Sequence, residues 1–164
     1  MTPSPWIISQ EERQKLIQGA FEAKKHAYCP HSKFPVGAAL LTSDGDIIKG
    51  ASVDNISISG NICAECSVIV KATEGLFIFR GLAIVSNVNS PISPCGICLQ
   101  VIREFCALEM PILLVPGNHP QVLDSVQEDG VRETTLGKLF PDSLGPAFHP
   151  NFALPSNVQN IIEK

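Results

Sequence analysis

The sequence predicts an α/β domain, a sheet layered with helices. Three observations carry that expectation. Apolar patterning alternates along the chain in the order α-β-β-α-β-α-β-β-α, the order of layered α/β proteins. Two interior stretches, Leu82 to Val88 and Pro111 to Val115, are short aliphatic runs of the kind buried on both faces of a sheet. The 164 residues are 45% hydrophobic and 17% charged, enough apolar surface for a core and outside the range of disordered chains. The length predicts one domain over residues 1–164, with residues 141–164 a Pro-rich tail holding Pro141, Pro146, Pro150 and Pro155.

Each element follows from local signals. Ser9 followed by Glu12 is a capping box, and Leu16, Ile17, Ala20 and Phe21 form one apolar stripe, so Ser9 to Lys25 reads as a helix. Phe34 to Leu41 and Ile47 to Val53 are apolar runs joined by a turn containing Asp44-Gly45, a hairpin signal. Asp54 to Asn61 is a loop, and Ile62 to Gly75 a mostly buried helix. Leu82 to Val88 is a strand, Cys95 to Ala107 a helix behind Pro94, and Pro111 to Val115 another strand. Gln121 to Val126 is expected as a last strand and Thr134 to Leu139 as a short helix.

Charge and composition narrow the function. The formal net charge is −4, and a surface that tracks phosphates needs an excess of Lys and Arg, which argues against nucleic-acid binding. The first ten residues carry two prolines and no basic segment, unlike a secretory signal, and no apolar run is long enough to span a membrane. Six cysteines without such a signal point to a reducing, cytoplasmic setting, where thiols serve as metal ligands or packing residues.

Four of those cysteines form two pairs, Cys63-Ala64-Glu65-Cys66 and Cys95-Gly96-Ile97-Cys98. Two CxxC pairs present soft thiolates at tetrahedral spacing, which favours zinc. A closed site would use all four thiolates; an open one would use three and leave a position for water. Both pairs begin predicted helices, whose N-termini stabilise thiolates. A carboxylate between the paired cysteines has no purpose in a structural knuckle but can move protons beside an activated water.

Cys63-Ala64-Glu65 followed by Pro94-Cys95-Gly96-Ile97-Cys98 resembles the small zinc-dependent cytidine deaminases, whose three-cysteine signature with a non-ligand Glu is an established pattern. Lys33-Phe34-Pro35-Val36-Gly37-Ala38-Ala39-Leu40-Leu41 extends the resemblance, which runs from about Tyr28 to Asp142. It implies a three-layer α/β/α fold with a mixed sheet of about five strands, a homotetramer, and hydrolytic loss of the 4-amino group of a pyrimidine nucleoside. By position it implies Cys63, Cys95 and Cys98 as zinc ligands. Glu65 would take a proton from water, protonate ring N3 and pass a proton to the departing ammonia. Phe34 would pack on the substrate, and the backbone of Ala64 would face the pyrimidine.

The chain departs from the family pattern around the substrate. Ser52 and Asp54 stand where the family has its ribose-binding Asn and Glu; both stay polar but are shorter. Cys66 replaces an Arg that offsets the negative charge of three thiolates on zinc, and Leu99 replaces a second. Leu144 stands where family members carry a Phe that reaches a neighbouring site, with Phe148 and Phe152 as possible substitutes, and Ile58 replaces a loop Tyr. The readings left open are a cytidine or deoxycytidine deaminase, a deaminase for a modified nucleoside or nucleoside antibiotic, and a non-catalytic protein whose zinc is closed by four thiolates. Cys29, Cys106 and the four unclustered histidines are expected to be packing or surface residues.

Overall fold

The computed structural model describes residues 6–74, 78–120 and 129–146. Helix α1, Gln10–Lys24, starts as the capping box requires: the Glu12 N–H donates to Ser9 Oγ at 3.2 Å and the Ser9 N–H to Glu12 Oε2 at 2.8 Å. Strands β1, Gly37–Thr42, and β2, Ile47–Ala51, form the expected hairpin, turned at Gly45 with φ +89°. β1 starts later than the apolar run because Pro35 has no N–H and the Val36 N–H donates to the Ser52 side chain.

Helix α2, Ala64–Thr73, begins two residues after the expected start, since Ile62 is paired in an antiparallel bridge with Val53. The expected helix end at Gly75 lies outside the described residues. Strand β3, Phe79–Val85, starts and ends three residues earlier than the aliphatic run suggests, because it follows β1 to Thr42, which pairs with Phe79. Helix α3, Gly96–Phe105, and strand β4, Pro111–Val115, fall where expected.

The last strand does not. The expected strand over residues 121–126 lies outside the described residues, and the fifth strand, β5, is Arg132–Thr135. It takes Thr134 and Thr135 from the expected helix and pairs them with Ile112 and Pro111. β-branched threonines favour a strand, and Thr135 then caps the short helix α4, Leu136–Leu139, by accepting the Lys138 N–H.

The sheet order is β2-β1-β3-β4-β5, with β3 and β4 parallel and the other pairs antiparallel. Successive side chains point to opposite faces. Ala38, Leu40, Leu82, Ile84, Ile112 and Leu114 pack under α2 and α3. Ala39, Leu41, Ala83, Val85, Leu113 and Val115 pack under Leu16, Ile17 and Ala20 of α1. These faces make the α/β/α layers, and with both covered the central strands read as continuous apolar runs. Gly50 of β2 lets α2 sit close: a Cβ there would stand 2.5 Å from the Val68 nitrogen and 2.8 Å from the Ala64 carbonyl oxygen. That approach sets the height of the first turn of α2 above the sheet.

Candidate metal centre and active-site cavity

The two CxxC pairs meet because α2 and α3 lie on the same sheet face and each begins beside a cysteine. Cys63 is the N-cap of α2 and Cys95 the N-cap of α3, both in extended backbone. Cys98 lies one turn into α3 and is fully buried. The three sulfurs all lie within 4.8 Å of one another, with Cys95 and Cys98 3.2 Å apart. The Cys66 sulfur comes within 3.8 Å of Cys98 but does not join that mutually close set.

The thiols resist ionising together. Burial pushes Cys63 up to about 11, with the negative charges of Glu65 and Cys95 adding to the effect. Burial raises Cys98 well above the ordinary thiol range and raises Cys66 as well. Cys95 is the exception. Burial opposes its thiolate, but the backbone N–H groups of Cys98 and Ile97 at the start of α3, with the neighbouring thiols, bring it below the usual value. Three crowded sulfurs with one ready thiolate suit a divalent, thiophilic cation, which would compensate the charge that keeps the others protonated.

Cys63 and Cys95 border a cavity of about 270 Å³, with Cys98 buried behind them. Glu65, Cys63, Cys95, Phe34, Ser52 and Asp54 all line it, so nearly all the residues singled out from sequence come together. Glu65 is 4% exposed, and burial raises its carboxyl above the usual carboxylate range although its own N–H and the Cys98 thiol pull the other way. Ala64 does not line the cavity; it is fully buried in the core.

Sequence reasoning missed Ser32, which also lines the cavity and bridges Asp54 to the Phe34 backbone. A serine two residues before an aromatic, in a Pro-containing turn, is a signal for such backbone bonding. Ile92 and Ser93, from the loop before α3, were missed too. Cys29 is not a plain packing residue: its sulfur contacts the Phe34 carbonyl oxygen at 3.4 Å and Ser52 Oγ at 3.3 Å. Cys106 is buried as expected. His119 packs on the Phe21 ring, and its Nδ1 lies 2.9 Å from the Asp129 carbonyl oxygen.

The family model described as the cytidine and deoxycytidylate deaminase zinc-binding region matches residues 10–114. The chain belongs to this family. Among its relatives, a cytidine deaminase of Sporosarcina psychrophila is 43% identical over 129 residues, covering 78% of this chain and 88% of that one. A cytidine deaminase of Mycobacterium tuberculosis is 38% identical over 133 residues, covering 79% and 88%. The crystal structure of the Burkholderia pseudomallei cytidine deaminase superposes with a TM-score of 0.70 at 34% identity, covering 84% of this chain and 100% of that one. The deaminase fold therefore extends past the matched residues into β5, and zinc is the metal that this family's binding region holds.

Proposed function

We propose that this chain is a zinc-dependent hydrolytic deaminase that converts cytidine or deoxycytidine, or a related aminopyrimidine nucleoside, to the uridine product and ammonia. The observation that carries this reading is the cluster of three thiols at two helix N-termini, two of which share a cavity wall with the buried carboxyl of Glu65. Cys63, Cys95 and Cys98 would hold the zinc. Zinc, when bound, supplies a Lewis acid that brings the pKa of water down towards about 7.

The remaining roles belong to the chain's own side chains. Glu65 accepts a proton from water, delivers it to ring N3 and passes a proton to the leaving amino group. Its raised affinity for protons suits a group that must take one and return it. Phe34 forms a wall for the pyrimidine, whereas Ala64, buried in the core and not part of the cavity wall, is assigned no contact with the base. Ser52 and Asp54 stand at the part of the cavity expected to receive the sugar. Relatives named cytidine deaminases support the substrate class.

The assembly is proposed as a homotetramer of one-domain subunits. Ile56 and Ile58, on the loop that leads to the cavity, are 85% and 84% exposed, as is much of Ile97 at the start of α3, and such side chains suit burial against a second copy. No helix among the described residues is long and apolar enough to cross a membrane, and the free thiols fit a cytoplasmic enzyme of pyrimidine salvage.

The test is mass-detected conversion of cytidine and deoxycytidine by zinc-loaded protein, with Glu65→Ala as control. Turnover that vanishes in the control supports the reading. No turnover at high enzyme concentration overturns cytidine as substrate. Zinc bound by four sulfurs in X-ray absorption would favour the closed, non-catalytic alternative.

A further inference from the structure

The two residues at the sugar end of the cavity have their side-chain oxygens engaged inside the protein. Asp54 Oδ2 accepts the backbone N–H of His31 at 3.0 Å and that of Ser32 at 2.7 Å. Asp54 Oδ1 accepts the Ser32 hydroxyl at 3.0 Å. A carboxylate has about four lone-pair sites, and these bonds occupy most of them. Ser52 Oγ accepts the Val36 N–H at 3.0 Å and contacts the Cys29 sulfur. Ser52 and Asp54 are two apart on extended chain, so both side chains point the same way, onto the segment from Cys29 to Val36.

That segment leads into Phe34 through an uncommon backbone conformation. Lys33, just before it, has φ +55°, a left-handed conformation that a long side chain adopts only when its surroundings impose it. Ser32 joins the two ends of the arrangement, because the hydroxyl that donates to Asp54 also accepts the Phe34 N–H at 3.1 Å. The Phe34 carbonyl is held in turn by Cys29. The order of contacts runs from Asp54 through Ser32 to the Phe34 backbone, across a strained residue. The Asp54 carboxyl sits below its usual range, chiefly through the Ser32 N–H, so it stays ionised and accepts these bonds at neutral pH.

We propose that Asp54 is a positioning residue rather than a sugar ligand, fixing Phe34 through Ser32 as a wall of the substrate cavity. The proposal rests on the deaminase reading for its kinetic consequence. Phe34 meets substrate and transition state alike, so loosening it raises KM more than it lowers kcat.

The test compares Asp54→Ala, Ser32→Ala and the double variant with the unaltered zinc-loaded protein. Two nucleosides are used, cytidine and 2′,3′-dideoxycytidine, which lacks the 2′- and 3′-hydroxyls of the sugar. Hydrogen exchange over residues 29–36 is followed in parallel. Asp54→Ala is expected to cut kcat/KM about tenfold on both nucleosides by the same factor, largely through KM, and to speed exchange of the 31, 32 and 34 amides. The double variant is expected to be no worse than Asp54→Ala, because the two residues act in one chain of contacts. A penalty confined to cytidine, or unchanged exchange in Asp54→Ala, overturns the proposal. If the unaltered protein converts neither nucleoside, cytidine fails as the substrate, and the exchange measurement still decides whether Asp54 holds this turn. Ser32→Ala leaves the core untouched and gives the same readout should Asp54→Ala fail to fold.

Discussion

The Cys66 sulfur lies 3.8 Å from that of Cys98, closer than a plain surface position would bring it, yet outside the cluster that Cys98 makes with Cys63 and Cys95. A fourth thiol therefore stands beside the three proposed zinc ligands without joining their mutually close set. Cys66→Ser should keep an equimolar zinc content, whereas Cys98→Ser should lose most of its zinc; metal analysis after gel filtration checks both. Zinc lost in Cys66→Ser would favour the four-thiolate site.

Glu65→Gln keeps the size of the side chain and removes its capacity to move a proton. Turnover should fall roughly 100- to 10,000-fold, the usual contribution of a positioned general base. Zinc content and circular dichroism should stay unchanged, since no metal ligand is touched. Comparable turnover in the variant would assign the proton transfer elsewhere.

Gly50→Ala would drive a methyl group into the backbone of α2, at the Val68 nitrogen and the Ala64 carbonyl oxygen. Backbone cannot swing aside as a flexible side chain can, so a loss of about 2–3 kcal/mol in urea unfolding is expected. The same displacement would move Cys63 away from Cys95 and Cys98, and zinc affinity should fall with stability.

Acid should weaken the start of α1 in a defined way. The Ser9 N–H, the Arg80 guanidinium at 2.7 Å and the Ser9 hydroxyl hold Glu12 below its ordinary value near 4.5. A carboxyl whose pKa is depressed by folding contributes fully above its unfolded value and loses that contribution as the pH falls through the lowered one. Glu12→Gln should therefore cost about 1 kcal/mol at pH 7 and almost nothing once both carboxyl forms are protonated. Urea titrations of both proteins across that acid range check it.

Much of this arrangement was legible in the sequence because its signals are local. The Ser9–Glu12 box, the Asp44-Gly45 turn and the paired cysteines each act within one helical turn or one hairpin, and each stands in the structure where it was read. Thr134 and Thr135 were misread because their partners, Ile112 and Pro111, are remote in sequence, and only pairing decides between strand and helix for two threonines. The engagement of Asp54 was hidden for the same reason. The resemblance set it at a ribose-binding position, while its partners lie on a turn that reaches it only once Tyr28 and Val53 are bridged.

The thiols and Glu65 ride on two helices bedded on one slab, while Phe34, Ser32, Ser52 and Asp54 come from the connecting segments at its rim. On the proposed function, reactivity and recognition are thus mounted on separate parts of the molecule. An engineer could redraw the rim for a bulkier or differently decorated nucleoside and leave the reactive platform standing.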